Sequence, residues 1–186
     1  MKAIFFWAGA VAAAASLSGC STLRGDRAET QMGTQVYRSH LGQQIARSQI
    51  AVEPFNAADA NSPEFRTYWT AVAQELRRLG WTVANTPGQT EQVALIDVNQ
   101  GSASRMGIGA AAPAAPARGA ASAGVATLLE VRIKRRSDGT VVWEGQAVDE
   151  GRGGGSAGER SEAVQRLATA LFRDFPGESG RTIRTR

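Results

Sequence analysis

VATLLEVRIKRRSDGTVVWEGQAV, residues 125–148, is the stretch whose reading decides the fold. Leu129, Val131 and Ile133 alternate with Glu130, Arg132 and Lys134, the period of a strand with one buried face. Ser137-Asp138-Gly139 then supplies a hairpin turn with glycine at a left-handed position. Thr140 to Val148 is the return strand. On it Trp143 shares a face with Val141 and Gly145, and Gly145 leaves room for the large ring to lie over the backbone. A hairpin with one apolar face must bury that face against another layer, so the rest of the chain is read for what covers it.

Two segments have helical periodicity. Ser62-Pro63-Glu64 opens the first: a serine cap, proline at the first helical position and an acid at the positive end of the dipole. Phe65, Trp69, Val72, Leu76 and Leu79 form its stripe, and Gly80 stops it. The second runs from Glu159 to Phe175, with Ala163, Val164, Leu167, Ala170, Leu171 and Phe175 as its stripe. Thr34–Leu41 and Ile45–Pro54 are extended runs joined by Gly42-Gln43-Gln44, and they read as a hairpin or bent strand pair. Trp81-Thr82-Val83 is a short strand. Gln92 to Asn99 has a near-continuous apolar middle, which suggests an interior strand. The expected fold is α+β: a two-layer sandwich, a mostly antiparallel sheet of about 5–6 strands with two helices on one face.

The 186-residue length fits one domain. Its expected bounds are 34–178, with a basic tail at 179–186. Within it, Gly101–Gly124 is almost all Ala, Gly, Ser and Pro. It has few side chains to bury and reads as a loop. The single Cys and single His exclude a disulfide framework and nearly every His/Cys metal site. No cofactor is expected. Nineteen of the 21 cations are Arg, but the net charge is only +4, too little to argue for nucleic acid.

The N-terminus has the form of an export signal. Lys2 precedes an apolar run from Ala3 to Leu17, too short to span a bilayer as a helix. Leu17-Ser18-Gly19-Cys20 follows and resembles the bacterial lipobox. That resemblance implies a signal peptide over residues 1–19, lipidation of Cys20, and a flexible tether through residue 33. Ser21 after the cysteine resembles the outer-membrane sorting pattern, which places the body in the periplasm and makes the membrane a partner through the lipid anchor.

Several local patterns together resemble the domain of unknown function 4136 family of bacterial lipoproteins. They are Ile50-Ala51-Val52-Glu53-Pro54, Glu75-Leu76-Arg77-Arg78-Leu79-Gly80-Trp81, Leu129 to Ile133, Asp138 to Gly145, and Leu171 to Gly177. The likeness covers residues 45–178. It implies an outer-membrane lipoprotein with no established activity and supplies no catalytic residues.

Candidate chemistry is sparse. Gly154-Gly155-Ser156-Ala157-Gly158 matches the G-x-S-x-G nucleophile elbow, which makes a periplasmic hydrolase using Ser156 the alternative reading. No His follows Ser156, however, and His40 lies far upstream, so the order Ser, acid, His is not met. The same loop contains Gly153-x-Gly155-x-x-Gly158, a weak dinucleotide-type match. Asp149-Glu150 would point to opposite faces of a strand. Arg132, Lys134, Arg135 and Arg136 lead into the hairpin tip, where cations keep an edge soluble or contact an anionic envelope polymer. The leading expectation is a non-enzymatic binding or adaptor domain of the cell envelope, with an envelope protein or anionic envelope polymer as partner.

Overall fold

The computed structural model describes residues 34–102, 125–149 and 156–185, all within one unit, Met32–Arg186. Cys20, the signal sequence, the tether, residues 103–124 of the Ala/Gly/Pro stretch and residues 150–155 of the second glycine run lie outside the described residues.

The hairpin forms as its pattern requires. β5 (Val125–Arg135) and β6 (Val141–Asp149) pair antiparallel, with Leu129 opposite Ala147, Val131 opposite Gly145 and Ile133 opposite Trp143. Gly139 has φ +70°, and Asp138 Oδ1 accepts from Thr140 N at 3.0 Å, which closes the turn. One detail differs. The pairing slips beside Ile133 and Lys134, so that Lys134 faces Val141. This bulge interrupts the alternation. Val142 therefore packs on the core and Val141 is exposed, so Val141 does not share the Trp143 face.

β4 (Gln92–Ser102) pairs along the whole of β5 and has β2 (Gln49–Pro54) on its other side, the interior position its apolar run suggests. β2 also pairs in parallel with β3 (Thr82–Ala84). Helix α1 (Pro63–Arg78) makes the crossover between those two strands. Ser62 Oγ accepts from Phe65 N at 3.0 Å and caps it, with Pro63 in the first turn. Helix α2 (Ala157–Phe172) follows β6.

The remaining strands correct the expectation. β1 (Thr34–His40) does not pair with β2. It pairs with β6 on one side and with β7 (Arg181–Thr185) on the other, giving the order β3-β2-β4-β5-β6-β1-β7. Four strand spacings of about 4.8 Å separate β1 from β2, roughly 19 Å. Residues 41–48 bridge it, since eight extended residues reach about 27 Å. The sheet has seven strands because residues 181–185, expected as part of a basic tail, add the edge strand beside β1.

Both helices pack into one core with the sheet. Val36, Ile50, Val52, Ala94, Ile96, Leu129, Val131, Ile133 and Trp143 meet Val72 and Leu76 of α1 and Leu167, Leu171 and Phe172 of α2. The α1 stripe is broader than expected, since Tyr68, Ala71, Ala73 and Glu75 are buried too. Glu75 is tolerated because Arg78 Nε donates to it at 2.7 Å and Thr169 Oγ1 of α2 at 2.9 Å. α2 ends at Phe172, three residues early: Arg173 is extended and Asp174 has φ +55°. Phe175 then turns back against Trp81 and Trp143, with ring centres 5.2 Å from each.

Arg38 is the least expected core residue, only 3% exposed. Its Nε donates to Leu171 O and its Nη2 to Ala170 O, both at 2.8 Å. These are carbonyls of the last turn of α2, which have no partner within a helix and sit at the negative end of its dipole. Burial holds the guanidinium pKa below its ordinary value, opposed by the nearby Asp174.

Candidate functional site

Trp143 is fully buried. Its ring stacks on Phe172 at 5.3 Å with 16° between planes, and Nε1 donates to Pro176 O at 3.0 Å. Trp81 is also buried and donates to Gln92 Oε1 at 2.9 Å. Trp69 is partly buried against the core, with Arg77 over its ring at 5.6 Å. Trp69, Trp81 and Trp143 therefore pack in or at the margin of the core.

The basic stretch is divided among carboxylates. Arg135 pairs with Asp138 at 2.7 Å and Arg136 with Glu53 of β2 at 2.5 Å. Arg132 lies against Glu130, comes within 3.8 Å of Glu144, and covers Phe55 at 5.0 Å. Lys134, half-buried, makes no ion pair among the described residues. The four cations thus offer an anion much less charge than their run suggests. Sequence reading missed this because Glu53 is 83 positions from Arg136 and Glu144 lies on the neighbouring strand.

Ser156, His40 and Asp149 do not converge. Ser156 is the cap of α2: its Oγ accepts from Glu159 N at 3.3 Å, and Glu159 Oε2 accepts from Ser156 N at 2.5 Å. This is a reciprocal capping box, and the bond from Ser156 N lowers the Glu159 pKa. His40 Nε2 contacts Gly177 O at 3.0 Å, beyond the other end of α2. Sixteen helical residues span about 24 Å, far beyond the reach of a proton relay. Asp149 lies 3.7 Å from Arg166.

Glu130 is a buried carboxylate on the sheet face away from the helices. Burial pushes its pKa up; Arg132 opposes that, while Glu144 and Asp97 add to it.

Sequence reading did not find the cavity at the carboxyl end of β2. It measures about 310 Å³ between β4 and the start of α1. Pro54, Phe65, Tyr68, Ile96 and Val98 give it apolar walls, and Asp59, Ser62, Glu64, Asp97 and Gln100 are its polar lining. Among the described residues no group of three or more His, Cys, Asp or Glu is placed to hold a metal ion. No described helix is long and apolar enough to cross a membrane.

No family model matches the chain. An uncharacterized protein of Zymomonas mobilis is 43% identical over 58 residues, which is 31% of this chain. The match spans 22% of that protein's length. Among solved structures, a PDZ domain protein from Parabacteroides distasonis superposes with a TM-score of 0.54 at 10% identity, over 82% of this chain and 39% of that one. That likeness extends to the fold alone. A PelC dodecamer from Paraburkholderia phytofirmans gives a TM-score of 0.41 at 13% identity, over 75% of this chain and 91% of that one.

Proposed function

We propose that this chain is an outer-membrane lipoprotein of the domain of unknown function 4136 kind, anchored through Cys20, whose periplasmic domain binds other envelope components and carries out no chemistry of its own. The observation that carries the reading is the single cysteine of the chain, placed in Leu17-Ser18-Gly19-Cys20 after Lys2 and an apolar run. A thioether-linked lipid needs a thiolate, and small residues before it let a peptidase reach the backbone. One acyl chain binds a membrane only marginally, so durable anchoring takes several chains on that residue. On this reading Ser21–Gly33, polar and aperiodic, is the tether between the anchor and the domain.

A binding role is supported by the engagement of the catalytic-looking groups elsewhere: Ser156 caps a helix and His40 holds a backbone carbonyl at its far end. Fractionation of cells expressing Cys20→Ser tests the anchor. The variant should leave the outer membrane and lose the mass of the lipid. Unchanged membrane association with unchanged mass would refute the proposal. Ser156→Ala tests the absence of chemistry: a folded Ser156→Ala protein that fails to complement a deletion strain would favour the hydrolase.

A further inference from the structure

β4 is longer than the strand beside it. β2 pairs with β4 only from Gln92 to Ile96, whereas β5 pairs with it as far as Ser102. After Pro54 the chain makes one more bond to β4, from Phe55 N to Ile96 O at 2.7 Å, and then turns away into the 3-10 turn Ala57–Asn61. Backbone groups of a strand alternate between its two edges. Ile96 directs its carbonyl toward β2, so Val98 and Gln100 direct theirs, with their N–H groups, to the same side. No backbone hydrogen bond among the described residues satisfies them there. Gln100 is exposed and Val98 half-buried, so among the described residues this edge is open where an extended segment would continue the line of β2.

The cavity runs along that edge. A strand laid against Val98 and Gln100 would send alternate side chains to the two faces of the sheet. Those on the helix side enter a space walled by Phe65 and Tyr68 and lined by Asp59 and Glu64. Those on the other side lie beside the Asp97 carboxylate, which among the described residues accepts from the Asn99 amide at 3.2 Å. Neither Asp59, Glu64 nor Asp97 has an ion-pair partner among the described residues. An apolar wall with a carboxylate rim suits a methylene stem that ends in a cation. The outer edges of β3 and β7 lack this combination: β3 has three residues, and β7 exposes Arg181 and Arg184.

We infer that the Asp97–Ser102 edge of β4 is a docking strand for an extended, lysine- or arginine-bearing segment of a partner protein, which adds to the sheet in line with β2. Main-chain bonds supply affinity in this mode, and side-chain pockets supply selectivity. The inference deepens the reading of the domain as a binding module, but it does not depend on the anchor.

The test is a titration of the ¹⁵N-labelled full chain with two acetylated, amidated hexapeptides, TVKKVT and TVEEVT, followed by amide shifts and hydrogen exchange. TVKKVT should shift the Val98 and Gln100 amides and slow their exchange, with weaker binding as salt rises. Its affinity should fall about tenfold when Glu64→Gln and Asp97→Asn are combined, roughly the effect of two lost partly screened contacts. Val98→Pro should abolish binding. If that variant unfolds, Gln100→Pro, which lies nearer the strand end, serves instead. TVEEVT should leave the edge unchanged. Absence of shifts at Val98 and Gln100 up to about 5 mM TVKKVT, well into the weak range, would overturn the inference. So would equal binding of both peptides, or concentration-dependent shifts at the edge without peptide, which would mark a second copy as occupant. Retained membrane association in Cys20→Ser cells and absence of peptide binding are separate results, so either proposal can fail alone.

Discussion

Gly145→Ala is a one-carbon change that should cost this domain a large part of its stability. A Cβ built on Gly145 falls 2.7 Å from Leu171 Cδ1 and 2.8 Å from Trp143 Cζ2, closer than real contacts allow. The indole cannot move aside, because Phe172 stacks on it, Phe175 leans on it, and Nε1 is tied to Pro176 O. Overpacking of a well-filled core costs about 1–3 kcal/mol. A strand alanine returns about 0.5–1 kcal/mol relative to glycine through the unfolded chain. With three contacts under 3 Å and the ring pinned, the steric cost lies at the upper end of its range, so it wins and the net loss should be about 2 kcal/mol. With a urea m value of about 2 kcal/mol/M, the midpoint should fall by about 1 M. Trp143→Leu removes the obstructing ring and leaves space into which the end of the Leu171 side chain can shift, so Gly145→Ala should cost almost nothing in that background. The cycle then gives a coupling energy of about 2 kcal/mol. Equal losses in both backgrounds, or no loss in the parent, would show that the glycine is there for another reason.

Other perturbations test separate links. Ser156→Ala should lower stability by about 1 kcal/mol, the usual worth of a cap, while Ser156→Asp keeps most of it; urea midpoints of the two variants decide the point. Glu130 has a raised pKa in the folded chain, so between its ordinary value of 4.5 and the raised one the native state binds more protons than the unfolded state. Stability must therefore fall as pH rises through that window. Glu130→Gln should flatten this slope, as thermal midpoints across the acid range would reveal, and an unchanged slope would count against the assignment. Replacing residues 103–124 by a short Asn-Gly turn should change stability by less than about 2 kcal/mol, because closure cost grows slowly with loop length. Ser102 and Val125 already face each other at the end of the β4–β5 ladder, so a tight turn can join them. A large fall in the denaturation midpoint would mean that the replaced segment packs.

The elements with local signatures were legible. The alternation from Leu129 to Ile133, the Asp138-Gly139 turn, the Ser62-Pro63 start of α1 and the glycine beside Trp143 all act within a few residues of themselves. Short-range sterics and hydrogen bonding fix them before any distant contact forms, and so the α+β class and its helix-covered sheet were settled by sequence. The candidate site was barely legible. Asp59, Glu64 and Asp97 are unremarkable acids until β2 stops short of β4 and leaves an edge between them. Strand order was not legible at all. Thr34–His40 and Gln49–Pro54 have equally good strand patterns, and nothing local says that β6 and β7, not β2, take β1. Arg38 shows the reason most clearly. Its place in an alternating strand gives it a face, but only the last turn of α2, 132 and 133 positions away, offers the carbonyls that make burying a guanidinium tolerable. Periodicity and capping belong to neighbours in sequence. Register, edge pairing and buried charge depend on partners that the chain meets only after it has closed long loops, and those the tertiary structure decided.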